Sequence, residues 1–141
     1  MPSPGINSRR PAHADGVGKV RCMADPIDLE AALATFDEPW QPRTVAALND
    51  YDVRVAKAHG EFAWHTHPDT DEFFLVVSGS LTIRLQDDEV SLGPGQAYVV
   101  PRGGRHQPVS SEGAHIVLIE PSETVNTGDS PSKLTAERRT L

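Results

Sequence analysis

The stretch that decides the fold of this chain runs from residue 60 to residue 79 and reads GEFAWHTHPDTDEFFLVVSG. From Glu72 onward it is a run of aliphatic and aromatic residues between a polar loop and a glycine, which predicts a β-strand. Alternation places Phe74 and Val76 on the side of Glu72, and on the other side Phe73, Leu75 and Val77. The first face should line a core. The second is covered either by another sheet layer or an N-terminal helix, or by a second copy of the chain.

Four side chains in and beyond this stretch form a candidate metal site. His65 and His67 are two residues apart on a predicted strand, so their imidazoles share one side. Glu72 begins the next strand, where antiparallel pairing can bring its carboxylate beside them. His106 lies further along the chain, and a closing barrel could bring it in as the fourth ligand. A histidine pair alone is more often a surface or hydrogen-bonded pair, so the prediction depends on the full set.

The types of ligand restrict the metal to one class of ion. Three neutral imidazoles and one carboxylate suit a borderline divalent ion, which can be iron, manganese, nickel, cobalt, copper or zinc, whereas magnesium and calcium fit poorly. Four protein ligands in an octahedral sphere leave two positions open. That openness is typical of a catalytic site rather than a closed structural one.

The rest of the chain predicts an all-β protein with one short helix. Apolar periodicity predicts a helix over residues 26–36. After Val45, short β-prone runs alternate with Gly, Pro and Asp pairs, which indicates a sandwich or barrel. The predicted strands are Thr44–Asn49, Asp52–His59, Glu61–His67, Glu72–Ser78, Ser80–Gln86, Glu89–Leu92, Gln96–Val100, Gln107–Ser110 and His115–Glu120. Residues 25–121 would form this domain, between a disordered extension (1–24) and an irregular tail (122–141), with translation starting at Met1 or Met23.

The motif spacing resembles that of the cupin family. The family's first motif is a Gly, a His-x-His, a Glu and a further Gly, here Gly60, His65, His67, Glu72 and Gly79. Its second motif contains a Gly, Pro-x-Gly and a His, here Gly95, Pro101, Gly103 and His106. The resemblance covers residues 45–121 and implies a double-stranded β-helix, the jelly-roll cupin barrel, with the metal inside. Two departures are a shorter spacing before His65 and Ser110 where the family often has Asn.

Net charge, the length of apolar runs and the number of cysteines restrict the partners and the cellular compartment that we expect. The chain has 141 residues and a net charge of -7, so it lacks the basic footprint of a nucleic-acid or anionic-membrane binder. Its longest strictly apolar run is too short to span a bilayer. A single cysteine, Cys22, rules out an intrachain disulfide. We therefore expect a cytoplasmic protein that binds a small molecule and, as small cupins commonly do, forms a homodimer.

Two classes of function remain open at this point. The resemblance implies a metal-dependent enzyme, either a dioxygenase or a sugar-phosphate isomerase, acting on a small oxygen-rich molecule. Lys57, His59 and Tyr98 are the candidate catalytic side chains, because alternation brings the first two towards the barrel mouth if Val53 and Val55 face the core. No dense basic cluster for a phosphate is evident. The alternative is a non-catalytic metal- or ligand-binding cupin that acts as a sensor, store or accessory protein.

Overall fold

The structure is a computed structural model that describes residues 25–141. The predicted disordered extension and the choice between Met1 and Met23 fall outside the described residues. The first element is a single short helix, α1 (Leu29–Leu33), which begins where the carboxylate of Asp28 accepts a hydrogen bond of 3.0 Å from the backbone N–H of Ala31. It is shorter than predicted, because Thr35 Oγ1 donates to the Ala32 carbonyl and the chain turns there.

Seven strands follow the helix in the described part of the chain. They are β1 (Arg43–Leu48), β2 (Tyr51–Glu61), β3 (Glu72–Gly79), β4 (Leu81–Leu85), β5 (Glu89–Leu92), β6 (Ala97–Val100) and β7 (His106–Pro121). All pairs are antiparallel, and the main path runs β1-β2-β7-β3-β6 while β4 joins β5 to β7. The all-β class predicted from the sequence is confirmed.

The long strand β7 closes the barrel by changing partners along its length. Its first residues pair with β4, from His106 opposite Leu85 to Val109 opposite Thr82. Beyond a bend at Gly113, which has a φ of 100°, it pairs with β3. The sequence pattern predicted two strands here, because the polar residues of the bend look like a loop.

Ser110 stabilises this bend. Its hydroxyl donates to the Ser80 carbonyl at 2.7 Å and accepts the Gly113 N–H at 3.1 Å. This is the position where the motif often has Asn. A hydroxyl can both donate and accept a hydrogen bond, so serine meets the requirements of the bend.

Two apolar clusters lie on opposite sides of the sheet. The inner cluster fills the barrel, with members such as Ala56, Phe74 and Ile116. The outer cluster packs α1 against the sheet and includes Leu33, Val55, Val117, Leu75 and Val77. The helix therefore covers part of the second face of β3. This is the predicted alternative in which an N-terminal helix, and not a second copy of the chain, lies on that part of the face.

The expectation that Val53 and Val55 face the barrel interior is wrong. Both valines pack in the outer cluster, while Ala56 and Ala58 face inward. Lys57 consequently points towards α1, where its Nζ donates to the Phe36 carbonyl at 2.6 Å. Alternation in β2 defines two faces, but its small residues gave no sign of which one is internal.

The segment between β2 and β3 is not a strand. β2 ends at Glu61, and within residues 62–71 only His65 forms an isolated bridge, to His106. The predicted strand Glu61–His67 is therefore wrong beyond its first residue. We call residues 62–71 the ligand loop. Within residues 25–141, no helix is long and apolar enough to cross a membrane.

Candidate metal centre

The four predicted ligands meet in the barrel interior. His65 and His67 come from the ligand loop, Glu72 from the first residue of β3 and His106 from the first residue of β7. One ligand atom from each residue lies within 4.8 Å of the others, and all four side chains are buried. Glu72 Oε2 is 2.9 Å from His106 Nε2, 3.1 Å from His67 Nε2 and 3.9 Å from His65 Nε2.

The hydrogen bonds around the imidazoles leave the Nε2 lone pairs of the histidines directed towards the Glu72 carboxylate. His65 Nδ1 lies 2.8 Å from the Ala63 carbonyl, and His106 Nδ1 lies 2.8 Å from the Gly104 carbonyl. Each Nδ1 must therefore carry the proton, which leaves Nε2 as an acceptor. Nε2 of His65 and of His67 is buried without a hydrogen-bond partner in the described residues. Acceptor nitrogens facing a carboxylate need a cation between them.

The distances agree with a bound transition metal. Two ligand atoms at right angles, each about 2.1 Å from one ion, are about 3.0 Å apart. The two shorter nitrogen–oxygen separations, 2.9 and 3.1 Å, match this value. The residues present therefore fit a divalent metal held by His65, His67, Glu72 and His106, in agreement with the sequence prediction.

The protonation states also favour a metal. Burial, reinforced by the nearby His106, lowers the pKa of His65 to about 4, so its imidazole is neutral at pH 7. Burial opposes ionisation of Glu72, but its close polar contacts with His106 and His67 outweigh this effect, and the pKa of Glu72 is lowered. The site thus presents a neutral imidazole and a carboxylate without a preliminary loss of protons.

Comparison with known proteins agrees with this geometry. Residues 51–120 match the family described as Cupin domain. A cupin-2 domain protein from Shewanella frigidimarina is 41% identical with a TM-score of 0.66, over 67% of this chain and 93% of that one. This chain belongs to the cupin family.

Two further relatives extend the comparison. A protein from Neisseria meningitidis is 31% identical with a TM-score of 0.64, over 70% of this cupin and 100% of that chain. The protein YdbB of Bacillus subtilis is 38% identical over 65 residues, which make up 45% of this cupin. Those residues span 58% of YdbB, so the match is to part of that relative.

A small apolar cavity adjoins the ligands of this cupin. It has a volume of about 30 Å³, and His65 and Glu72 form part of its wall. No lysine or arginine lines it in the described part of the chain. The remaining wall consists of Trp40, Pro42, Ala56, Phe62, Phe74, Pro108, Ile116, Leu118 and Asn126.

The three predicted catalytic side chains do not line this cavity. Lys57 and the exposed His59 border a different pocket, on the outside of the sheet near Asp37. Tyr98 is partly buried against the inner cluster, and its catalytic role stays a prediction. The structure therefore brings together the four predicted metal ligands but places none of the three predicted catalytic side chains in the wall of this cavity.

Sequence reasoning missed two of the residues that enclose the site. Trp40 packs against Phe62 in a tilted arrangement with ring centroids 5.0 Å apart, and its indole N–H donates to the His59 carbonyl at 2.8 Å. Asn126, from the C-terminal tail, is buried beside it and donates to the Trp40 carbonyl at 3.2 Å. Trp40 lies before the first strand and Asn126 after the last, where no local pattern marks a cavity wall.

A second buried carboxyl lies close to the metal ligands and was also missed. The pairing of Phe73 with Ile119 places Glu72 and Glu120 beside each other on β3 and β7, facing the interior. Burial, and then the charge of Glu72, raises the pKa of Glu120 well above its ordinary value. Glu120 Oε1 accepts a hydrogen bond from Arg54 Nη1 at a distance of 2.8 Å. The two neighbouring carboxyl groups therefore oppose each other's ionisation, and the Arg54 guanidinium partly offsets this effect at Glu120.

Proposed function

We propose that this cupin is a metal-dependent enzyme acting on a small, largely apolar molecule that carries oxygen groups. One observation supports this above all: the buried His65–His67–Glu72–His106 cluster adjoins a cavity walled by aromatic and aliphatic side chains. A pocket of this kind binds ligands by apolar contact and orients them through few polar groups. The metal would be the main group that recognises an oxygen.

The wall of the cavity favours one of the two cupin reaction types. A sugar-phosphate substrate needs cationic partners for its phosphate, and no lysine or arginine lines the cavity in residues 25–141. An aromatic or diketone substrate instead matches the rings of Trp40, Phe62 and Phe74. We therefore favour dioxygenase-like chemistry over isomerisation.

The chain's own residues would supply the environment for that chemistry. When bound, a divalent transition metal supplies a Lewis acid for a substrate oxygen and, if it is redox active, a site for dioxygen. His65, His67 and His106 would hold it as neutral ligands, and Glu72 would reduce its net charge. The rings of Phe62 and Phe74 line the cavity beside His65 and Glu72, where they would contact an apolar ligand.

The test measures metal content and oxygen consumption together. Protein purified without added metal is analysed for elements and then assayed for oxygen uptake with diketones, catechols and flavonols. We expect iron, nickel or copper at about one per chain, with turnover of one substrate class, and loss of both in His106→Ala. The matched control is His115→Ala, whose ring is partly exposed and, among the described residues, bonds only Glu30, at 3.2 Å. Metal content that His106→Ala leaves unchanged would rule out the site.

A non-catalytic binding role is the second candidate, and the size of the cavity favours it. At about 30 Å³ the cavity holds only one or two waters, so a substrate requires movement of the wall. Stoichiometric metal without oxygen uptake or any turnover across the panel would favour a sensor, store or accessory protein over an enzyme.

A further inference from the structure

The tail of residues 122–141 is held against the barrel at both ends, and we call it the strap. At its near end, Arg54 donates from Nη2 to the Ser122 carbonyl at 2.8 Å and from Nη1 to the Thr124 carbonyl at 2.9 Å. Arg54 is itself buried and paired with Glu120 and Asp52. The first residues of the strap are therefore fixed to the interior of β2.

The far end of the strap is attached to the same part of the sheet. Arg138 forms a two-point ion pair with the fully buried Asp52, at 2.7 and 3.1 Å. The backbone of Thr44 bonds both Arg139 and Leu141, at 2.7 and 3.0 Å. Bidentate charge-assisted bonds of this kind restrict geometry more than single bonds do. With both ends fixed, the middle of the strap is held against the barrel, where Asn126 donates to the Trp40 carbonyl.

The middle of the strap packs against the ligand loop. Asp129 makes two hydrogen bonds to the same residue: its backbone N–H donates to the Thr66 carbonyl at 3.0 Å, and its Oδ1 accepts the Thr66 N–H at 2.9 Å. Gly128 leaves no free space beside them, since a Cβ there would lie 2.2 Å from the Thr66 carbonyl oxygen and 3.2 Å from His67 Nδ1. The strap thus touches the residue that separates two metal ligands.

The ligand loop has few other backbone restraints near these histidines. Residues 62–71 lie outside the strands, and among the described residues the backbone of His65 bonds only His106, with two bonds of 3.0 Å. The His67 carbonyl accepts the Gly103 N–H at 2.9 Å. Thr66, between them, has its backbone bonds satisfied by Asp129 alone among the described residues. The Thr66 peptide unit, which Asp129 holds, therefore links the two histidines of the loop.

We propose that Asp129 is a positioning residue for the metal ligands His65 and His67, so that closure of the strap and binding of the metal stabilise each other. The inference rests on the proposed function only in that the cluster binds a metal. By linkage, a contact that favours metal binding is itself favoured when the metal binds. Residues 125–135 should then open more often in the metal-free protein.

The first test compares metal affinities of full-length variants by chelator competition with zinc and cobalt. We expect Asp129→Ala to bind each metal about 10-fold more weakly than wild type, the lower end of the effect of losing a ligand-orienting contact. Asp129→Asn should bind within about 3-fold of wild type, because its amide oxygen can still accept the Thr66 N–H. The control is Glu123→Ala, which removes the same charge from an exposed position of the strap.

The second test needs only the wild-type chain and decides the question even if Asp129→Ala does not fold. Amide hydrogen exchange is followed with and without zinc, and we expect zinc to slow exchange at Thr66 and at Asp129. Equal affinities of Asp129→Ala and Glu123→Ala, or exchange unaffected by bound zinc, would overturn the inference while leaving the metal site intact. A wild-type chain that binds neither metal would overturn the proposed function as well.

Discussion

The imidazole of His65 shows how one residue combines several constraints. It is fully buried, its Nδ1 is held by the Ala63 carbonyl, and its ring packs edge-on against Phe62 with centroids 5.3 Å apart. A proton on Nε2 would place a charge in this apolar surrounding. The environment that keeps the ring ready for a metal also makes it sensitive to acid in the metal-free state.

We predict that His65 makes metal-free protein less stable as the pH falls from 6.5 to 4. The unfolded chain takes up a proton near pH 6.5, whereas the folded chain resists it until its lowered pKa of about 4. This shift of about 2.5 units corresponds to about 3 kcal/mol. Urea unfolding at several pH values would measure it against His65→Gln, which has no proton to bind. As the pH falls from 6.5 to 4, the free energy of unfolding of wild type should decrease by this amount relative to that of the variant. A difference between the two proteins that does not change with pH would contradict the prediction.

At the scale of elements, the turns between strands set how closely the two sides of the barrel approach. Gly79 ends β3 with a φ of 78°, and Gly95 precedes β6 with a φ of 77°. The two φ angles are nearly equal, but the surroundings of the two glycines differ. A Cβ on Gly79 would lie 2.2 Å from the Gly113 carbonyl oxygen, whereas nothing lies within 4 Å of a Cβ on Gly95.

Gly79→Ala should therefore be much more damaging than Gly95→Ala. Both variants strain a left-handed backbone, at about 1 kcal/mol. Only Gly79→Ala also forces β3 away from the bend of β7, and we expect it to be at least about 2 kcal/mol less stable than Gly95→Ala. Chemical denaturation of the two variants would measure the difference. An equal loss of stability in the two variants would mean that the Gly113 bend of β7 moves away from a Cβ at position 79 without a loss of free energy.

At the scale of the whole molecule, part of the outer sheet face is left uncovered by α1. Leu75 and Val77 pack in the outer cluster, but Phe73 borders an open groove of about 430 Å³ with Tyr51 and Val99. Tyr51 is 40% exposed and Val99 47% exposed. Exposed apolar groups gathered in one place are typical of an interaction surface.

We expect this groove to form the interface of a homodimer. An isologous contact would bury the groove of each subunit against its partner, and a charge at its centre should prevent this. Sedimentation velocity at micromolar concentration should show a dimer for wild type and a monomer for Val99→Glu. Val125→Glu is the control, since Val125 is 46% exposed but lies on the strap. A monomeric wild type, or equal behaviour of the two variants, would contradict the expectation.

The barrel and three of the four cluster residues were predictable because their signals are local, while His106 was found through its own motif. His65, His67 and Glu72 lie within eight residues, and the glycines at 79 and 95 mark turns that only a glycine adopts without strain. Alternation identified the two faces of β3 correctly. It failed on β2, where both faces carry small or β-branched residues and the position of α1 decides which one is outside.

By itself, the sequence determined the class of fold and identified the four side chains that form the buried cluster, since both follow from residue types at characteristic spacing. Only the tertiary structure decided what surrounds the ligands. The strap reads as a polar, irregular tail, and its path depends on Arg54 and Asp52, which are about 70 and 86 residues from the groups they bind. The partner of a buried charge is the opposite charge that lies near it in the folded chain, and a local sequence pattern does not identify that residue.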